Sequence, residues 1–176
     1  MALTVETGSA SSSSDSYASV ADADTYFANR NMTIWSPLLT SDKEAALRRA
    51  TDYMQQAYRE RWNGMRVSTT QALDWPRQLV EIKDAPSGYG SGPAFYSSTA
   101  VPNEVKNACI ALAIKAAAGD LAPDIEPQTT MEKVGPIEVS YAAGGRQTVR
   151  YQAIDNLLSV LLKDGGSGSM VMVSRA

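Results

Sequence analysis

The segment from Pro102 to Gly119, PNEVKNACIALAIKAAAG, constrains this chain more than any other. Val105, Ala108, Cys109, Leu112, Ala113 and Ala116 recur at the i, i+3, i+4, i+7 spacing of a helix face, and Ile110, Ile114 and Ala117 add a second ridge. Only a narrow polar strip around Asn103, Lys106, Asn107 and Lys115 is left for water. A helix that is apolar over most of its circumference must be covered on more than one side. It is therefore either the central helix of a bundle or a subunit interface. Proline in the first turn and glycine after the last set its ends.

Three more helices surround this one in sequence. The first is predicted from about Val20 to Asn31, with Ser19 as N-cap and Asp22 at the capping-box position. The second spans roughly Asp42 to Trp62, capped by Ser41, with Leu47, Ala50, Met54, Ala57 and Trp62 on one face. Glu44–Arg48 and Arg48–Asp52 are i,i+4 pairs on its opposite side. The last runs from about Gln152 to Lys163. Before it the period changes to two: Ile137, Val139 and Tyr141 fall on one face of a strand, Glu138 and Ser140 on the other. Gly144-Gly145 supplies a turn and Gln147 to Tyr151 a returning strand. A two-stranded hairpin is marginal alone in water, so it needs a helix or a neighbouring chain behind it.

The fold class is thus mainly α: a small four-helix bundle with a protruding β-hairpin at about 131–151, between the last two helices, and extended terminal tails. Residues 1–18 read as a flexible Ser-rich arm and 19–163 as the helical domain. That domain includes a long Gly/Ser/Pro/Tyr loop at 83–101, of a length that usually makes contacts. Residues 164–176 read as a Gly/Ser tether carrying a docking tail, Met170, Val171, Met172 and Val173. One domain fits 176 residues. The start of the chain lacks the basic and apolar regions of a signal peptide, and the longest apolar run, Ala108 to Ile114, is too short to span a bilayer. A soluble protein of a reducing compartment, with no membrane partner, is expected.

Composition removes most enzyme chemistry. There is no histidine and one cysteine, Cys109, which excludes His-dependent triads, His-ligated metals, Cys-cluster zinc and intrachain disulfides. Cys109 lies on the most apolar face, where a thiol is a small hydrophobe. No Ser-x-x-Lys spacing occurs. The glycine loop at 88–92 lacks the Lys-Ser/Thr of a phosphate-binding loop. Asp120, Asp124 and Glu126 cluster after the third helix and read as a solvated acidic turn in preference to a divalent-ion site. No catalytic residue, cofactor or metal is expected, and the chain reads as no enzyme.

Charge is balanced overall, 16 Lys+Arg against 19 Asp+Glu, but uneven along the chain. Residues 41–80 carry seven bases and five acids, and the bases are interleaved with Tyr53, Tyr58, Trp62 and Trp75. Basic and aromatic residues together can hold single-stranded nucleic acid through phosphates and stacking. Arg48, Arg49, Arg59 and Arg66 are the residues that would face DNA. Most of these arginines have an acid within helical reach, so a solvated face or subunit salt bridges is the competing reading.

An ordered set of phrases carries a resemblance: SVADADTYF at 19–27, ALRRATDY at 46–53, RWNG at 61–64, QALDWPR at 71–77, VPNEVKNA at 101–108, EKVGPIEVSY at 132–141 and IDNLL at 154–158. Together they resemble the head–tail connector (adaptor) proteins of tailed bacteriophages, including the branch described as DnaT-like single-stranded-DNA-binding proteins. The resemblance covers residues 19–162. It implies a helical bundle with a protruding hairpin, assembled as a ring of commonly twelve copies at the capsid vertex of the virion. Its partners would be itself, the portal protein, a tail or tail-completion protein, and genome DNA passing through the lumen without sequence recognition. The protein would be made in the host bacterial cytoplasm. The hairpin residues Ile137, Val139, Tyr141, Val149 and Tyr151 would then meet an adjacent subunit, and the tail Met170–Val173 would meet the portal. The alternative is a single-stranded nucleic-acid-binding module of phage replication, using the arginines and aromatics around the second helix.

Overall fold

The computed structural model describes residues 2–86, 92–124, 131–134, 137–140 and 149–163. It is mainly helical, with four α-helices and a small antiparallel hairpin between the last two. The helices are α1 (Val20–Ala28), α2 (Thr40–Tyr58), α3 (Asn103–Ala118) and α4 (Gln152–Leu158), the last continued by a 3-10 turn, Ser159–Leu161. α3 packs against all three of the others. Its Val105, Ala108, Cys109, Ile110, Leu112, Ala113 and Ala116 are buried, with Ile114 and Ala117 half-buried. Of the two readings open for this helix, the central helix of a bundle is the one realised.

Local signals set some boundaries and tertiary contacts set others. The Ser19–Asp22 capping box forms as expected: Asp22 N–H donates to Ser19 Oγ at 3.0 Å and Ser19 N–H to Asp22 Oδ2 at 3.1 Å. α2 instead starts two residues earlier than the Ser41 cap implies, with Leu39 at the N-cap and no side-chain cap. Lys43 accounts for the difference. Buried in that first turn, it reaches Asp24 of α1 at 2.9 Å, and Asp24 also accepts from Trp35 Nε1 at 2.8 Å. An inter-helix ion pair thus positions the turn that a serine cap was expected to define. At the other end α2 stops at Tyr58, and Trp62 is held by an antiparallel bridge to Leu162.

The Ser-rich start of the chain corrects the expectation of a flexible arm. Residues 4–16 close on themselves: Val5 bridges Ser16, and Glu6 N–H donates to Ser16 O at 2.8 Å. The Glu6 carboxylate, fully buried, accepts from the backbone N–H groups of Gly8 (2.7 Å), Ala10 (3.2 Å) and Ser11 (2.9 Å) and from the hydroxyls of Ser9 and Ser14. Serine and glycine let the loop turn tightly enough to aim those donors inward. Gly8 has φ +114°, and a Cβ there would meet Thr99 O at 2.0 Å, so the loop is pressed onto the strap that precedes α3.

Two short ribbons complete the fold. β1 (Met65–Arg66) pairs antiparallel with β2 (Arg77–Gln78). Beyond them Glu81 bridges Phe95, with Ile82 N–H bonded to Ala94 O and Tyr96 N–H to Val80 O, so the long loop is closed at its base. β3 (Met131–Val134) pairs with β4 (Ile137–Ser140) in the register Met131↔Ser140, Glu132↔Val139, Lys133↔Glu138, Val134↔Ile137. The reversal of this pair falls between Val134 and Ile137, and the turn expected at Gly144-Gly145 lies outside the described residues. Residues 149–151 form no strand, which corrects the expected return through Tyr151. Among the described residues no other helix or strand packs on this hairpin. No helix among the described residues is long and apolar enough to cross a membrane.

Candidate nucleic-acid interface

Arg49, Asp52, Tyr53 and Gln56 share the exposed face of α2 and open onto three adjoining hollows. One, of about 420 Å³, lies between this face and the end of α3, where Ala116, Gly119, Asp120 and Leu121 form the far wall. A second, of about 350 Å³, lies between Tyr53, Tyr58 and Arg61 on one side and Val149, Arg150 and Asp155 on the other. The third, of about 590 Å³, follows the end of α2 past Gln55, Arg59 and Glu60. Shared linings join them into one shallow groove, the only place where the cations of α2 and the α4 entrance converge among the described residues.

The groove is charge-balanced. Arg49, Arg59, Arg61 and Arg150 line it, and so do Asp52, Glu60, Asp120 and Asp155. Asp155 is its node, accepting from Tyr58 Oη at 2.8 Å and Arg150 Nε at 2.6 Å, with Arg61 at 3.7 Å. Burial pushes the Asp155 carboxyl up, but the hydrogen bonds from Arg150 and Tyr58 outweigh it and hold the group below the usual carboxylate range. The same contact, after burial, drives the Tyr58 phenol well above its ordinary value. Asp52 is raised by burial and then by Asp15.

Three of the four arginines expected to face DNA are committed within the chain. Arg48 is held by Asp15 at 2.7 Å and Glu44 at 3.7 Å. Arg59 donates to the buried Asp74 at 3.1 Å and to Gln55 at 2.8 Å. Arg66 turns inward, bonding the carbonyls of Gln71 and Leu73, and so lies away from the groove. Arg49 alone of the four is exposed in the groove with no ion pair among the described residues. The aromatics are less available still. Trp35, Trp62 and Trp75 are buried, Trp62 and Trp75 meeting edge to face at 5.7 Å.

Tyr151 lies at the entrance of α4, against α2 and the end of α3. It packs edge to face on Tyr53 at 5.4 Å, donates its hydroxyl to Leu121 O at 3.2 Å and lies under Lys115. Val149 is 55 % exposed beside the groove. Ile137 and Val139 are in β4, while Tyr141 and the tail Met170, Val171, Met172 and Val173 lie outside the described residues. Sequence reasoning missed the Tyr53–Tyr151 contact and the Asp155 node, because each joins residues about a hundred positions apart with no shared local pattern. It missed Glu6 as well, although a lone acid before a run of serines and a glycine is a usable signal for a carboxylate caged by backbone donors.

No group of three His, Cys, Asp or Glu side chains suited to a metal ion occurs among the described residues. Asp120 instead caps its own turn, accepting from Ala122 N–H at 3.1 Å. Cys109 is buried beside Thr51, and burial raises its thiol.

These features define a mainly α domain with an appended hairpin and an open, charge-balanced surface groove. The family model described as "Putative DnaT-like ssDNA binding protein" matches residues 1–176, and the chain belongs to that family. No curated protein and no solved structure matches it.

Proposed function

We propose that this chain is a non-catalytic structural subunit of a tailed-phage virion, a head-to-tail adaptor that assembles as a ring beneath the portal and lets DNA pass. The observation that carries this reading is the hairpin, which among the described residues meets no other helix or strand although a two-stranded ribbon is marginal alone. A neighbouring copy is the natural support. The neutralised arginines agree: a duplex that must slide through a lumen is better served by a surface that does not grip phosphate. The phrases quoted above carry the resemblance to connector proteins; portal, tail and copy number rest on it alone.

The second reading is autonomous binding of single-stranded DNA. The family description speaks for it, and so does Arg49 on the α2 groove with Lys115 and Arg150 nearby. Two measurements on the full chain decide. Native mass spectrometry should show closed oligomers that disappear when residues 131–148 are replaced by a short Gly/Ser linker, with the helical circular-dichroism signal retained. Anisotropy of a labelled single strand should show weak binding. Submicromolar affinity that falls by about a thousandfold or more between about 50 and 200 mM salt, with a monomeric protein, establishes the second reading instead.

A further inference from the structure

We infer that Asn63-Gly64 is a site of spontaneous covalent modification. The fold suppresses its deamidation while residues 161–163 are docked, and the modified chain no longer docks them. Asn63 alone of the chain's asparagines precedes glycine. In such a pair no side chain shields the following amide nitrogen, and asparagine is a thermally labile residue. The Gly64 nitrogen attacks Asn63 Cγ; the new C–N bond replaces the Cγ–Nδ2 bond, and the amide leaves as ammonia with the Gly64 proton. Water then opens the resulting succinimide at either carbonyl. Opening at Cγ gives aspartate. Opening at the main-chain carbonyl gives isoaspartate, with an extra methylene in the backbone.

The fold requires both residues of the pair. Gly64 has φ +65°, and a Cβ there would meet Gln78 O at 2.3 Å and Val80 Cγ2 at 2.7 Å, so only glycine fits the approach to β1. Asn63 is the clasp for residues 161–163. Its N–H donates to Leu161 O at 3.0 Å and its Nδ2 to Leu162 O at 2.9 Å. The Trp62–Leu162 bridge and a 2.7 Å bond from Lys163 N–H to Arg61 O flank it. The buried Arg77 fixes the intervening peptide plane, donating Nε to Asn63 O at 2.7 Å and Nη2 to Gly64 O at 2.8 Å. Ring closure needs the Asn63 side chain to swing over its own peptide group, and clasp and fork hold both still. The reaction therefore waits for 161–163 to detach, a local opening that leaves the core folded. Afterwards the contact is lost. Aspartate leaves an oxygen where Leu162 O had a donor, and the extra methylene of isoaspartate separates the two carbonyls that one guanidinium grips. A reversible opening becomes a permanent release.

Incubating the full chain at mildly alkaline pH and mapping the tryptic peptide Trp62–Arg66 tests this, since its asparagine, aspartate and isoaspartate forms separate by chromatography and mass. The folded chain should deamidate at Asn63 at least about tenfold more slowly than the same chain unfolded in urea, the protection that one lost hydrogen bond would remove. Across sub-denaturing urea the rate should follow hydrogen exchange of the Asn63 and Lys163 amides, which both bond across the clasp, and not that of the buried α3 amides. Equal rates in folded and unfolded chains, or a rate that follows α3, overturn the local lock. Asn63→Asp should keep the helical circular-dichroism signal and exchange the Lys163 amide at least about tenfold faster than the parent. Deamidated parent, separated from unreacted chain by its added negative charge, reports the same change in a molecule that folded first. Unchanged protection of Lys163 there overturns the permanent release.

Discussion

At the residue scale the molecule is organised by two carboxylates that do opposite work. Glu6 is buried with hydrogen bonds alone, three from backbone N–H groups and two from hydroxyls. A buried carboxylate is tolerated only when donors replace its lost hydration. Glu6→Ala leaves those N–H groups without a partner and should cost about 2–4 kcal/mol in urea unfolding. Hydrogen exchange at Gly8, Ala10 and Ser11 should accelerate with it. Unchanged stability would show that the loop is held by its contact to the Thr99 strap alone. Asp155 instead gathers cations at the surface, and that local neutralisation, more than the net charge of the chain, removes Arg61 and Arg150 from the pool available to phosphate.

At the scale of elements, α3 governs packing and Asp155 governs how α4 is tied to α2. Leu112 is fully buried on the central helix, and Leu112→Ala should destabilise by about 2–5 kcal/mol, read from the shift of a chemical denaturation midpoint. The pH dependence of the α2–α4 junction follows from the lowered Asp155 carboxyl. Its contribution is fully present above the unfolded-state value of about 3.9 and is lost as pH falls through the lower folded value. Acid titration of stability should therefore steepen below about pH 4. Asp155→Asn should flatten that part of the curve and leave the neutral-pH region displaced downward by a constant amount. α2 shows how an element boundary escapes local reading. Ser41 is a better cap in isolation than Leu39, but α2 starts two residues earlier, with Lys43 of its first turn paired to Asp24 of α1.

On the scale of the whole molecule, the notable feature among the described residues is a hairpin that meets no other helix or strand, with apolar side chains exposed at and beside β1–β2 and between α1 and α2. In the ring proposed above such surfaces would be covered, because weak contacts add up when each copy makes two. The tail assignment belongs at this scale. Removing residues 165–176 should abolish binding to a portal protein in a pull-down while ring formation persists, and full retention of binding would end the assignment.

The central helix, the four-helix count, the Ser19–Asp22 box and the presence of a hairpin before α4 were all legible in the amino-acid sequence. Each depends on spacing within a few residues, and periodicity or capping reports such spacing directly. What the tertiary structure decided was which charges meet. Arg48 with Asp15, Arg59 with Asp74, Tyr58 with Asp155 and Tyr53 with Tyr151 are encounters between distant segments. A stretch that reads as a basic, aromatic stripe along the chain thus has, once folded, three of its four arginines paired within the chain and its tryptophans buried. The same holds for the serine run at the start: its composition suggests an arm, and one buried carboxylate that collects its amides turns it into part of the domain.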